Sequence, residues 1–537
     1  MSESLLLYKI VLKGFPEESK KLYVRGGAEK FEGILAKGEY ITLDTYFNSF
    51  SCAKFLQYTT IRDVEINIEV QGRVLIELFL QRKRGREKKI YQIEKDWDAG
   101  CVMTIPFHLS EIQGACFAFL KITALSETAA IIDGNYTTRQ TPEHPVHLAV
   151  LICTFRREKY LERTIERICR ELLEQKWENG SKSLNIYITD NGGTVFGPAY
   201  EDKRIHLLHS PNCGGSGGFT RSLIEALREP RHTHVLFMDD DIYLDTNVIS
   251  KITSVLQYVK PEKAHVAIAG GMLNVESPTV QHEAGALWKG DGRLHSLGHG
   301  IDLSERKSLF QNEAEQRADY GGWWCFAMNI VDTGFDNLPL PLFLKCDDIE
   351  YSLRNVKDIL VMNGIGVWHE PFEKKLNTLM DYYSIRNELI LNAIYSKAGM
   401  LKILWILFRP MLRAVAEGSM STIRYVELAV EDYLRGVAFF YRTDMAEYHQ
   451  WLRGLGSEAV EDRNTFARMI MLCKKCFSKD LGYCLSHYGK LCGKYLSGYQ
   501  KAKHSFEHDW KGLGTLAFWA VPLGMVMGDG DLQERVK

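Results

Sequence analysis

The run Val235-Leu236-Phe237-Met238-Asp239-Asp240-Asp241 carries an apolar strand straight into three carboxylates. Like charges this close are costly unless they are solvated or neutralised. A hard divalent cation neutralises them and can take substrate phosphates as further oxygen ligands. A solvated turn is the plainer reading. A second acidic group, Asp347-Asp348 with Glu350, stands where Phe343 to Arg354 should begin a helix. A helix N-terminus favours ionised carboxylates, and a positioned carboxylate can take the proton of an attacking hydroxyl. First-turn acids are also common as simple caps.

Other residues add partial signals. His369, in Val367-Trp368-His369-Glu370, follows a short strand-like run over 365–368. Neutral imidazole is a frequent metal ligand, although a lone histidine is more often structural. Asn212-Cys213-Gly214-Gly215-Ser216-Gly217-Gly218-Phe219 opens a helix expected over 218–228. Its amides could meet phosphate oxygens, or the glycines could form only a flexible turn. The segment lacks the ending of a Walker A loop. Phe155 and Arg157 follow one apolar strand and Asp190 follows the next. Trp323-Trp324 suit stacking on sugar faces or core packing. Glu283 lies in a polar cluster, His282-Glu283-Ala284-Gly285. Cys473 and Cys476, with Cys484, His487 and Cys492, have zinc-like spacing, but the region reads as continuous helix without a knuckle turn.

The elements that must position these groups fall into three regions, giving a multidomain α/β chain. Residues 1–140 read as β, and a sandwich of short strands is expected. Within it, Val64 to Leu80 alternates like a strand and is broken by Gln71-Gly72, a hairpin signal. A proline-bearing linker is expected over 137–145. From Val146 to about residue 378, strands alternate with helices, implying a parallel sheet that binds ligands beyond its strands' carboxyl ends. Residues 379–537 read as helical.

The 537 residues carry 66 Lys+Arg against 68 Asp+Glu, a net charge of −2 that argues against a nucleic-acid coat. Twelve cysteines are too sparse for a disulfide scaffold. The N-terminus lacks the layout of a signal peptide, so a cytoplasmic location is expected. Two apolar stretches raise the question of membrane contact. Gly512 to Gly528 sits at the lower length limit for spanning and reads as a buried or interfacial segment. Met400 to Arg413 mixes bulky apolar residues with Lys402, Arg409 and Arg413, which suits an anionic lipid surface or core packing equally.

Taken in order, PNCGGSGGF, FMDDDI, GGWW, LKCDDIEYSLR and VWHE resemble motifs of nucleotide-sugar transferases of the GT-A fold, family two. More narrowly, nearly the whole chain resembles the galactofuranosyltransferases that polymerise cell-wall galactan. That resemblance implies a metal-dependent, inverting transfer of galactofuranose from UDP-galactofuranose to a glycan or lipid-linked glycan. It implies Mn²⁺ or Mg²⁺ on Asp239, Asp241 and His369, and Asp348 as general base. Phe155, Arg157 and Asp190 would hold the uridine diphosphate. Asn212, Glu283, Trp323, Trp324, Lys345 and Asp347 would line the sugar and acceptor pocket. A donor such as UDP-galactose, UDP-glucose or dTDP-rhamnose, or a non-catalytic carbohydrate-binding scaffold, are the alternatives. Peripheral membrane contact and a homo-oligomer are left open.

Overall fold

The computed structural model describes residues 4–27, 31–82, 87–112, 114–174, 177, 181–371, 377–417, 419, 421–456 and 479–526. Its centre is a seven-stranded sheet. In chain order the strands are β1 (Val146–Thr154), β2 (Lys182–Asp190), β3 (Ile205–His209), β4 (His234–Asp239), β5 (Ala267–Ala269), β6 (Phe326–Asn329) and β7 (Ile359–Leu360). Their spatial order is β3-β2-β1-β4-β6-β5-β7. All neighbours run parallel except β6, which is antiparallel to both β4 and β5. Helices α1 (Glu158–Ile168) and α2 (Gly214–Leu227) follow β1 and β3, as the apolar spacing predicts.

Alternation along β1 explains how the sheet sits. Leu148, Val150 and Ile152 enter the core shared with the N-terminal β region. Ala149 and Leu151 enter the core shared with the helical C-terminal region. Successive side chains of a strand face opposite ways, so a strand apolar at nearly every position can bury both faces.

In the N-terminal region nine strands join one antiparallel hydrogen-bonded network. Here one expectation is corrected. Asp63–Arg82 is a single 20-residue strand, with no hairpin at Gln71-Gly72. Its first part pairs with 102–108 and 128–138, its second with 88–97 and 115–124. Gly72 has φ +92°, and a Cβ there would meet Ser126 Oγ and the Thr128 carbonyl at 2.9 Å. A glycine needed for positive φ inside a strand imitates a turn signal.

The C-terminal region is helical, with α3 (Thr378–Tyr395), α4 (Met400–Glu417), α5 (Ser421–Leu434) and the long α6 (Lys479–Asp509). Among the described residues, no helix is long and apolar enough to cross a membrane. In its described part the apolar stretch after Gly512 buries Leu513, Leu516, Phe518, Trp519 and Leu523 and exposes Val521 and Val526. Trp519 is 1% exposed, and its indole N–H donates to the Pro339 carbonyl at 2.8 Å.

Candidate active site

The parallel register lines the acidic residues up along one edge. Asp190 is paired with Thr154, and Asp239 with Cys153. A separate four-stranded sheet brings in the rest, ordered Ile301–Asp302, Val280–Glu283, Gly271–Asn274, Gly366–His369. In it Asn274 is the partner of His369 and Met272 the partner of Glu283.

His369 thereby meets the acidic run. Its Nε2 lies 3.0 Å from Asp241 Oδ1 and 3.7 Å from Asp239 Oδ2. Ligand atoms of the three residues all lie within 4.8 Å of one another, the one such group among the described residues. His369 Nδ1 lies 2.6 Å from the Glu370 carbonyl, which can only accept, so Nδ1 carries a hydrogen there. That bond presents Nε2 to the carboxylates, as histidine ligands are commonly oriented. Two carboxylate oxygens and an imidazole nitrogen fit a divalent cation of the manganese or magnesium kind.

Asp240, the middle acid, points elsewhere. Thr154 Oγ1 donates to its Oδ2 at 2.7 Å, and Arg157 Nη1 lies 3.3 Å from its Oδ1. Burial pushes its carboxyl up to about 6. The same Arg157 nitrogen lies 2.6 Å from Asp241 Oδ2. Arg157 therefore joins the acids at this edge.

The second acidic pair begins the helix Asp347–Asn355. It is preceded by an unusual backbone. Phe343, Lys345 and Cys346 have φ of 70°, 67° and 67°. Left-handed non-glycine residues carry strain, and strain of this kind gathers at functional sites. Burial raises the carboxyls of both Asp347 and Asp348 above the usual range, and Asp348 adds to the rise at Asp347. A base tuned upward in this way suits proton abstraction near neutrality.

The glycine segment packs against that loop. Gly214 has φ +72°, and a Cβ there would collide with the Phe343 carbonyl oxygen. Ser216 N donates to the Phe343 carbonyl at 3.3 Å, and Ser216 Oγ accepts from Phe343 N at 2.9 Å. Asn212 Oδ1 accepts from Gly214 N at 3.1 Å. The glycines lie inside α2, and amides of Gly214 and Ser216 are already bonded within the protein. This favours close packing over the phosphate-cradling alternative.

Asp239, Glu283, Trp323, Trp324, Lys345, Asp347 and Asp348 line one cavity of about 800 Å³, together with residues of α3 and α4. Glu283 is 3% exposed. Ser296 Oγ donates to its Oε2, while Oε1 has no hydrogen-bond partner. Burial pushes its carboxyl up to about 7. The Trp323 indole N–H is also buried without a partner. Its ring stacks on Phe237, with centroids 4.5 Å apart. Trp324 instead donates its N–H to the Gly270 carbonyl at 2.9 Å. Both tryptophans line the cavity, and the bond to Gly270 anchors Trp324.

Phe155, Asp190 and Asn212 do not line this cavity. Asp190 is fully buried and accepts from the amides of Gly192, Thr194 and Val195 at 2.8, 2.6 and 2.8 Å. It shapes its own loop with most of its acceptor capacity. Phe155 lies beneath the Arg156 guanidinium, 5.2 Å from its ring centre. A larger cavity of about 1030 Å³ lies between the N-terminal segment and the central region and contains none of the sequence-derived site residues.

Sequence reading missed Arg386 and Asn387 on α3. Both are fully buried and donate to carbonyls of the loop before Asp347. Their helical spacing marks them only as interior. Cys473 and Cys476 lie outside the described residues. Of their neighbours, Cys484 bonds the Met411 carbonyl at 3.4 Å and His487 lies against Glu427.

Residues 144–354 match the family model described as "Glycosyltransferase like family 2". With a mixed α/β core and acids at its edge, the chain is a glycosyltransferase, and the matched segment resembles the family-two type. It is similar along most of its length to two curated relatives. Galactofuranosyltransferase GlfT2 of Mycobacterium tuberculosis (strain ATCC 25618 / H37Rv) is 24% identical over 475 residues, covering 80% of this chain and 72% of the relative. Galactofuranosyltransferase GlfT2 of Mycolicibacterium smegmatis (strain ATCC 700084 / mc(2)155) is 22% identical over 464 residues, covering 80% and 71%. Among solved structures, GalNAc-T7 with UDP, GalNAc and Mn²⁺ aligns with a TM-score of 0.33 and 10% identity, covering 53% of this chain and 55% of that one, too slight a likeness to carry weight.

Proposed function

We propose that the protein is a metal-dependent, inverting galactofuranosyltransferase, moving galactofuranose from UDP-galactofuranose to a glycan or lipid-linked glycan. The observation that carries this reading is the meeting of Asp239, Asp241 and His369 beside the cavity that Asp348 lines. The names of the two relatives supply the donor sugar. The proposed domains are a β region over 1–140, read as a sandwich, a transferase domain over 146–378 and a helical region over 379–537.

In the reaction, an acceptor hydroxyl attacks the anomeric carbon and Asp348 takes its proton. The bond from that carbon to the diphosphate oxygen breaks, and the configuration inverts. Phe155 and the loop that Asp190 braces hold the uridine, and Arg157 meets the departing diphosphate. Glu283 and Trp323 line the cavity that would take the sugar. Trp324, Lys345 and Asp347 shape the same pocket, while Asn212 stands outside it and braces the glycine segment through Gly214 N. A divalent cation, Mn²⁺ or Mg²⁺, held by Asp239, Asp241 and His369 would neutralise charge on the leaving diphosphate. Preorganised charge and positioning account for the acceleration.

A lipid-linked acceptor fits the cavity rim. Leu294 and Trp405 line the cavity yet are 63% and 47% exposed, and Leu401 on α4 is 84% exposed. Exposed apolar residues beside Arg293 and Lys402 support peripheral contact with a cytoplasmic membrane face. The test is a panel of nucleotide sugars, with UDP release followed with and without metal. We expect UDP-galactofuranose to be turned over fastest. Preference for UDP-galactose, UDP-glucose or dTDP-rhamnose would replace the donor, and no release from any would remove the enzyme reading.

A further inference from the structure

The loop that delivers Asp347 and Asp348 is held from the helical region. Asn387 Nδ2 lies 3.0 Å from the Leu342 carbonyl, 2.8 Å from that of Leu344 and 2.8 Å from that of Lys345. An amide has two N–H groups, so these three acceptors share them. The orientation of the amide follows from its other end, where Arg386 Nε donates to Asn387 Oδ1 at 3.0 Å. Arg386 Nη2 adds a bond to the Leu342 carbonyl at 2.8 Å. Both side chains are fully buried. The acceptors belong to the stretch in which Phe343, Lys345 and Cys346 take left-handed φ. A strained backbone persists only where its surroundings over-determine it.

The same helix also faces the cavity. Asp381, Ser384, Ile385 and Glu388 of α3 line it, so an acceptor resting on α3 touches the element that fixes the base. We infer that Asn387 is a positioning residue for Asp348, and that α3 belongs to the catalytic apparatus rather than only to the helical support. The inference rests on the reading of Asp348 as base.

The test compares full-length Asn387→Leu, Asp348→Asn and the natural chain in Mn²⁺. Melting temperature, UDP binding by calorimetry, and kcat and KM for UDP-galactofuranose are measured for each. Asn387→Leu should lower kcat about 100-fold, the effect of displacing a reacting group by about an ångström. UDP affinity and KM should stay within about twofold, as for an uncoupled site. A folded Asn387→Leu with kcat within that same margin overturns the inference, as does an equal loss of UDP affinity. Should Asn387→Leu not fold, Ser216→Ala removes the bond to Phe343 N from the opposite side. A lower kcat at unchanged KM then supports the inference, and an unchanged kcat overturns it. If Asp348→Asn turns over normally, the base reading fails whatever Asn387 does. If Asp348→Asn is inactive and Asn387→Leu is not, only the positioning role fails.

Discussion

His369 Nε2 lies 3.0 Å from Asp241 Oδ1, although His369 ends a strand of the four-stranded sheet and Asp241 stands in the turn after a strand of the seven-stranded one. The antiparallel bridge between Tyr243 and Trp368 ties the segment after Asp241 to the strand that ends in His369. Replacing His369 by Ala should weaken Mn²⁺ binding at least tenfold while the fold survives. Calorimetry with Mn²⁺ alone checks this. In the same samples, Mn²⁺ should raise the melting temperature of the natural chain, because a ligand bound only by the folded state stabilises it. Equal Mn²⁺ affinity in Asp239→Asn, Asp241→Asn and His369→Ala would move the metal elsewhere.

Asp348→Asn removes the basic oxygen while keeping size and shape. A general base contributes about 10²- to 10⁴-fold, so kcat should fall by at least about 100-fold. UDP binding should persist, since the nucleotide contacts proposed above lie on other elements. Single-turnover rates alongside UDP titration separate the two.

Burial raises the Asp348 carboxyl. The base must be ionised to act, so activity is lost as pH falls through its raised value. The acid limb of kcat/KM should therefore lie above the ordinary aspartate value of about 3.9. A limb at or below that value would show that burial does not govern the base in the working enzyme.

Gly214→Ala puts a Cβ onto the Phe343 carbonyl at a positive φ. Strain of this type costs about 1–3 kcal/mol, and the relief available is movement of the loop before Asp347. We expect a lower denaturation midpoint together with reduced kcat.

Trp519→Ala tests whether the C-terminal apolar stretch is core. The side chain is 1% exposed and bonded to Pro339. Truncating a buried tryptophan costs about 3–5 kcal/mol. A change within about 0.5 kcal/mol, typical of surface sites, would return that stretch to solvent or membrane.

Much of the central region is legible because buried parallel strands write themselves as apolar runs. Val146–Thr154 and His234–Asp239 are of this kind, and the acids follow where such strands end. What fails is information carried by distant pairing. His369 looks like any histidine after a short strand until Asn274 becomes its neighbour. Gln71-Gly72 reads as a turn because positive φ is a local property, whereas the strand's continuity is fixed by partners on both sides. Asp240 looks equivalent to its neighbours in sequence, but it stands in the turn just past the strand and meets Thr154. Arg386 and Asn387 carry no local mark, since their role depends on a loop some forty positions earlier.

Transfer from UDP-galactofuranose to a galactofuranosyl acceptor, with the product's anomeric configuration read by NMR before and after chelation, bears on the whole mechanism at once. We expect an inverted product that forms with Mn²⁺, stops with chelator and returns when Mn²⁺ is restored. A retained configuration, or full transfer in the presence of chelator, would contradict it.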